Sequence, residues 1–204
     1  RTERELRKHA ATLEQSGAFA VHTETTSANP HLAHHVGMSF SWQEKEAFYV
    51  PLKSPHHQGE GIALEEALQV LRPILEDRRL KKLGQNIKYD CMVFRNHGVR
   101  LAGIHFDTMV ASYLLQPHKR NHNLDDLALE CLGVKKIATA ELIGRGKNEV
   151  TMDQVPLEKV AEYACEDADC VFRLKQHLAP RLADEGLEKL FYDLEMPRIE
   201  VLAE

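Results

Sequence analysis

The chain has 204 residues, of which 43% are hydrophobic and 28% charged, and its formal net charge at neutral pH is −5. That length and balance suit one compact domain with a sizeable core, and the acidic surplus excludes a protein that holds nucleic acid through a global positive field. A polyanion would have to be met by a local basic strip or through metal ions. Residues 2–15 carry Leu6, Ala10 and Leu13 at helical spacing and stop at Ser16-Gly17. Phe19-Ala20-Val21 follows without polar alternation, a short strand buried on both faces. Residues 35–42 alternate loosely and 47–52 are rich in β formers, and the short link Gln43-Glu44-Lys45-Glu46 favours an antiparallel hairpin. A helix is expected over 63–76, with Leu64, Ala67, Leu68, Val70, Leu71 and Leu75 as its apolar face.

A short strand over 82–85 feeds a helix over 87–96, stopped by Gly98, and another strand covers 104–106. Asp107 is placed to cap a helix over 108–115, and Asn123 to cap one over 124–131. Residues 132–148 read as loop. Pro156 stands in the first turn of a long helix reaching about 178, and a last helix begins near Glu185, with Pro197 interrupting or ending it. Strands first, then strands alternating with helices, give an α/β layer fold with a mixed sheet and helices on both faces. No apolar run approaches the roughly 18 residues of a membrane span. No signal peptide is evident and the chain opens on Arg1, so it is read as a piece of something longer.

Cys91, Cys131, Cys165 and Cys170 form no C-x-x-C pair and are expected as buried free thiols in a reducing compartment. His34, His35, His56, His57, His118 and His122 lie in polar stretches and are expected at the solvated surface.

Three acids come from three elements. Glu24 follows the first strand, at a sheet edge where open α/β folds keep their ligand crevices. Asp90 lies one turn into the helix after the 82–85 strand. Tyr163 and Asp167, at i and i+4, share one helix flank. Such acids can converge on Mg²⁺ or Mn²⁺, which take oxygen ligands. By spacing alone Glu166 suits the role almost as well, and Glu166-Asp167-Ala168-Asp169 also reads as a plain solvated face.

Taken in order, Val21-His22-Thr23-Glu24-Thr25, Gly84-Gln85-Asn86-Ile87-Lys88-Tyr89-Asp90, Phe106-Asp107-Thr108-Met109, Gly144-Arg145-Gly146-Lys147-Asn148 and Tyr163-Ala164-Cys165-Glu166-Asp167-Ala168-Asp169 resemble the 3′–5′ proofreading exonuclease domain of bacterial family A DNA polymerases, the DNA polymerase I group. The resemblance covers essentially the whole chain and implies a ribonuclease-H-like fold. It implies phosphodiester hydrolysis at a single-stranded DNA 3′ end by two metal ions, Mg²⁺ or Mn²⁺, flanking the scissile phosphate. Glu24, Asp90 and Asp167 would be catalytic acids and metal ligands, and Tyr163 would position the water. Thr25, Gln85, Asn86 and Tyr89 would grip the strand. The family's apolar wedge after the first motif and its aromatic near position 139 are replaced by Ala28 and Thr139, so base stacking, worth about 1–3 kcal/mol per base, is reduced.

The resemblance further implies an exonuclease-like domain over 1–192 and, from Asp193-Leu194-Glu195-Met196-Pro197 through 204, the start of the segment leading into a polymerase domain of the same longer chain. A monomer in the cytoplasm, associated with the nucleoid and not with membrane, is expected.

One position departs from the pattern. His22 stands where the family's first acid bridges both metals. A neutral imidazole offers one lone pair, bears no negative charge and suits Zn²⁺ better than Mg²⁺, so one metal or none is expected. Several readings follow: a natural exonuclease weakened or lost, an altered one-metal site with His22 as a ligand, or an introduced change in an active domain. In another, imidazolium pairs with Asp90 or Asp167 without metal. The alternatives in function are a catalytically silent DNA-positioning scaffold and a ribonuclease-D-like RNA-trimming exonuclease, against which the segment at 193–197 argues.

Overall fold

The computed structural model describes residues 3–56 and 60–203; His57 lies outside them. Helix α1 (Glu3–Ser16) buries Leu6, Ala10 and Leu13 and ends at Gly17, whose φ of 69° turns the chain into the first strand. Strand β1 (Ala18–Thr25) runs further than its apolar start suggests, because its polar C-terminal half still pairs with a neighbour. Strands β2 (His35–Gln43) and β3 (Glu46–Pro51) form the hairpin, with Lys45 in the left-handed region at its turn (φ 64°). Helix α2 (Leu64–Leu75), strand β4 (Lys81–Gly84), helix α3 (Ile87–Arg95), strand β5 (Ile104–Asp107) and helix α4 (Thr108–Leu115) follow close to their expected places.

The five-stranded sheet has the order β3-β2-β1-β4-β5. β1 pairs antiparallel with β2 and parallel with β4, and β4 pairs parallel with β5. Nearly every residue of β2 and most of β1 is buried, and since successive side chains point to opposite faces, both faces are covered. Phe19, Val21, Met38, Phe40 and Leu83 anchor the core from the sheet.

Asp107 ties two helices together. Its Oδ1 accepts from the backbone N–H groups of Met109 and Val110 at the start of α4, and its Oδ2 accepts from the N–H of Ile87 at the start of α3 (2.8, 3.1 and 2.7 Å). Burial holds this carboxyl up at about 6, against the pull of those N–H donors.

Four expectations are corrected. Helix α5 (Leu124–Leu127), capped by Asn123, widens into a π turn over Ala128–Leu132 before Gly133. Residues 132–148 are not all loop. They hold helix α6 (Thr139–Ile143) and a 3₁₀ turn over Gly146–Asn148, elements too short to leave a periodic apolar signal. Helix α7 (Leu157–Asp184) continues past 178 through Pro180, because Leu182 is still buried. The last helical run opens with α8 (Glu188–Leu190), passes through a π turn over Phe191–Glu195 and becomes α9 (Met196–Leu202). Pro197 neither breaks nor ends it, since it falls in the first turn of α9, where a missing N–H costs little. Residues 193–203 pack on the domain, with Met196, Ile199 and Ala203 buried in the core beside Phe191.

Two histidines also leave their expected surface. His35 is buried in β2 against Phe94 and His97, and His122 is half-buried with Nδ1 2.8 Å from Ser112 Oγ. His34, His56 and His118 are exposed. The four cysteines are free, Cys91 and Cys170 buried and Cys131 and Cys165 half-buried. No helix among the described residues is long and apolar enough to cross a membrane.

Candidate active site

The C-terminal half of β1 delivers His22 and Glu24 to one face of the sheet, two residues apart. Helix α3, set by Asp107, brings Asp90, which is 1% exposed. Its Oδ1 accepts from the N–H and the hydroxyl of Thr23 (2.7 and 2.8 Å). Helix α7 lies across β1, β2 and β3 and brings Tyr163 and Asp167, both buried. The acids therefore converge, and the imidazole lies between two of them. His22 Nε2 is 3.6 Å from Glu24 Oε1, and Nδ1 is 3.5 Å from Asp90 Oδ1. These separations are longer than good hydrogen bonds, so the attraction is mainly one of charge.

Glu166 is turned away from this cluster. Its Oε2 accepts from the N–H of Ile137 at 2.8 Å and so pins the loop between α5 and α6. That loop introduces a residue the sequence does not advertise. Lys136, 5% exposed, forms an ion pair with Asp167, lies 3.3 Å from Asp125 Oδ1, and places its ammonium 4.7 Å from the Tyr163 ring centroid. A pair of lysines, Lys135-Lys136, in a stretch without periodicity carries no signal that one of them turns inward.

Burial raises all three carboxyls, Glu24 to about 7. At Glu24 the nearby His22 opposes the rise, and Asp167 and Asp90 add to it. For His22, burial disfavours the charge, but Asp90, Glu24 and Asp167 outweigh it, and its pKa stands above the ordinary histidine value. Lys136 follows the same logic, with Asp167 the main restoring charge. The Tyr163 hydroxyl is raised by burial and bonded to Thr139 Oγ1 (2.9 Å).

His22, Glu24 and Asp167 each offer one ligand atom, all within 4.8 Å of one another. Glu24 Oε1 and Asp90 Oδ2 are buried without a hydrogen-bond partner among the described residues. By donor count this group suits one divalent cation. Asp90 stands outside it, one oxygen already engaged by Thr23.

A cleft of about 640 Å³ opens over the cluster, lined among others by His22, Glu24, Thr25, Ala28, Tyr89, Thr139, Thr151 and Tyr163. Of the residues expected to grip a strand, Thr25 and Tyr89 line it, their hydroxyls 2.5 Å apart, with Tyr89 also donating to the Ser27 carbonyl. Gln85 and Asn86 do not. Gln85 donates to the His122 carbonyl and accepts from Thr108, and exposed Asn86 takes the left-handed turn that opens α3 (φ 53°).

The sequence matches the 3′–5′ exonuclease family over residues 1–183. DNA polymerase I of Pseudomonas aeruginosa is 40% identical over 196 residues, a match that covers 94% of this chain and 21% of that protein. Among solved structures, Pol1 from M. smegmatis aligns with a TM-score of 0.73 at 21% identity, over 95% of this chain and 30% of that one. Brucella melitensis NrnC with bound Mg²⁺ aligns with a TM-score of 0.69 at 21% identity, over 92% of this chain and 83% of that one. The sheet is thus the ribonuclease-H-like sheet of 3′–5′ exonucleases. The chain spans about a fifth of the length of the curated relatives it matches.

Proposed function

The chain belongs to the 3′–5′ exonuclease family of DNA polymerase I, and on that premise we propose that its cleft receives the single-stranded 3′ end of DNA while hydrolysis there is weakened or lost. The observation that carries this reading is His22 lying between Glu24 and Asp90, its two nitrogens each facing one of the acids. A carboxylate at that position would add a negative charge and an oxygen donor. An imidazole brings neither a negative charge nor an oxygen donor to that place.

In the reaction proposed, water attacks the terminal phosphodiester phosphorus, the bond to the 3′ oxygen breaks, and a nucleoside 5′-monophosphate leaves. Glu24 faces the cleft where that water would stand, as a carboxylate able to accept a hydrogen bond from it. Thr25 and Tyr89 bind the terminal sugar, and Tyr163 orients the water. His22, Glu24 and Asp167 would hold one Mg²⁺ or Mn²⁺, which would lower the pKa of a bound water and polarise the phosphate. Losing one stabilising donor costs about 10²–10³ in rate, and the replacement at position 22 is expected to cost as much. In the longer protein the domain would lie beside a polymerase domain entered through residues 193–204, as a cytoplasmic monomer acting in replication and repair.

The test follows release of nucleotide from a 3′-labelled single strand in Mg²⁺ and in Mn²⁺. The expected rate is within severalfold of the Asp167→Ala background, while anisotropy of a labelled strand shows binding that weakens in Tyr89→Ala. Rapid release that disappears in Asp167→Ala would overturn the weakened site. Binding indifferent to Tyr89 would overturn the cleft.

A further inference from the structure

We propose that His22 turns this site from one for Mg²⁺ into one for a nitrogen-accepting ion of the Zn²⁺ class, bound through Nε2, and that Asp90 serves it through the imidazole rather than as a ligand. The proposal rests on the reading of the cleft as a nuclease site and names the ion that site selects.

His22 and Glu24 stand two residues apart on β1, so both project to one face of the sheet, and Nε2 lies 3.6 Å from Glu24 Oε1. Donors at Zn–N and Zn–O bond lengths on a tetrahedron lie about 3.3–3.4 Å apart. Neighbouring oxygens around an octahedral Mg²⁺ lie about 2.9 Å apart. The observed spacing is close to the wider value. Asp167 adds a third donor, with all three atoms within 4.8 Å of one another, and the cleft lined by His22 and Glu24 leaves one side open. One nitrogen, two carboxylates and an open position make a donor set of the catalytic zinc kind. Glu24 is 4% exposed, and its Oε1 has no hydrogen-bond partner among the described residues, a buried acceptor that a cation would satisfy.

The second half of the proposal follows from the other ring nitrogen. A neutral imidazole gives Nε2 to a metal only while Nδ1 carries the proton. Nδ1 faces Asp90 Oδ1 at 3.5 Å, so that carboxylate favours the required tautomer. Asp90 is itself anchored. It is 1% exposed, and its Oδ1 accepts from the N–H and the hydroxyl of Thr23, the residue between His22 and Glu24. Its Oδ2 has no partner among the described residues, which leaves the carboxylate acceptor capacity for the imidazole N–H.

A carboxylate behind a ligating histidine is the arrangement by which an outer group fixes the ring and raises its basicity toward the metal. Asp90, which the family resemblance makes a ligand, is thereby assigned to positioning. Mg²⁺ takes oxygen donors and gives up its waters reluctantly, whereas imidazole suits Zn²⁺. Exchanging an acid for an imidazole at position 22 therefore weakens the site for Mg²⁺ and spares it for Zn²⁺.

The test titrates each metal alone, Zn²⁺ against a chromophoric chelator and Mg²⁺ by calorimetry, at pH 8 to limit competition from protons for the imidazole. The proteins are wild type, His22→Asp, His22→Ala, Asp90→Asn and His22→Ala/Asp90→Asn, with circular dichroism to verify folding. Asparagine at position 90 keeps an oxygen to accept from Thr23. His22→Asp is expected to lower the ratio of Zn²⁺ to Mg²⁺ affinity at least about tenfold, since an oxygen replaces the nitrogen donor. Asp90→Asn should weaken Zn²⁺ about 10–100-fold, the usual cost of losing an outer partner, and only a few-fold once His22 is alanine. Nitrogen-15 spectra of histidine-labelled protein should show the His22 Nε2 resonance moving on addition of Zn²⁺ while Nδ1 keeps its proton. An unmoved Nε2 resonance, or an affinity ratio indifferent to His22→Asp, would overturn the metal assignment. An Asp90→Asn penalty undiminished without the imidazole would make Asp90 a ligand and overturn its positioning role. Should the Asp90 variants fail to fold, the spectra and the His22→Asp ratio still decide the metal, and loss of the Nδ1 proton on Zn²⁺ binding would sink the role of Asp90. Zn²⁺ held by His22 in a protein whose strand binding ignores Tyr89 would uphold the inference and sink the cleft reading. Tyr89-dependent strand binding with no Zn²⁺ on His22 would do the reverse.

Discussion

Lys82 and Lys136 are both buried and both lie over an aromatic ring, yet they are held in opposite ways. Lys82, at the start of β4, donates to the carbonyls of Asp77 and Leu80 (2.6 and 3.0 Å), with its ammonium 5.6 Å from the Phe19 ring. Burial pulls its pKa down to about 8, and the carboxylate of Asp77 offsets only part of that. Lys136 meets carboxylates, and its pKa rises. Similar depth therefore produces opposite shifts in charge. What decides is whether the partner is a dipole or an ion. Lys82 is a turn-closing donor that happens to be charged; Lys136 is present for its charge.

The largest expected effect separates the two by truncation. Lys136→Met leaves Asp167 buried without its counter-charge and is expected to cost about 3–5 kcal/mol. Lys82→Met leaves only neutral carbonyls unpaired and should cost about 1–3 kcal/mol. Urea unfolding at neutral pH measures both, and equal costs would break the comparison.

A buried basic group without a partner charge provides a control. His35 is pulled down to about 3 by burial, with His97 adding to the effect. Between that value and its ordinary 6.5 the unfolded chain binds the extra proton, so the contribution to stability is fully present above 6.5 and is lost as pH falls toward about 3. His35→Leu should flatten the acid limb of stability measured by urea midpoints from pH 7 to pH 4. An unchanged limb would remove His35 from the account.

The smallest effect lies on the alkaline side. Lys82 titrates near 8 when folded and near 10.5 when unfolded, so in that window the unfolded chain holds more protons and stability rises with pH. Wild type should gain on Lys82→Met as pH is taken from 8 to 10. A lysine held by acids, as Lys136 is, should show no such gain.

The elements that carry the acids were legible because they obey short-range rules. Glu24 ends a strand, Asp90 opens a helix, and Tyr163 and Asp167 share a helix flank by spacing. Spacing left Glu166 almost as good as Asp167, and only the family resemblance favoured Asp167. That choice is made by Ile137, far away in the chain, whose N–H takes Glu166. Lys136 was invisible for the same reason. Its role depends on a loop pinned from outside its own neighbourhood, and nothing local marks it apart from Lys135. Gln85 and Asn86 show the converse. Their motif is recognisable, but one side chain is engaged by His122 and Thr108 and the other serves a left-handed turn. The π turn over Phe191–Glu195 likewise escaped, because Pro197 reads as a stop unless the preceding turn is known to widen.

Asp107 contributes no atom to the cleft, yet it governs where Asp90 can be. By clamping the starts of α3 and α4 with one carboxylate, it makes the two helices a single lever whose fulcrum is the end of β5. Loss of that one carboxylate would leave the first turns of both helices uncapped at once.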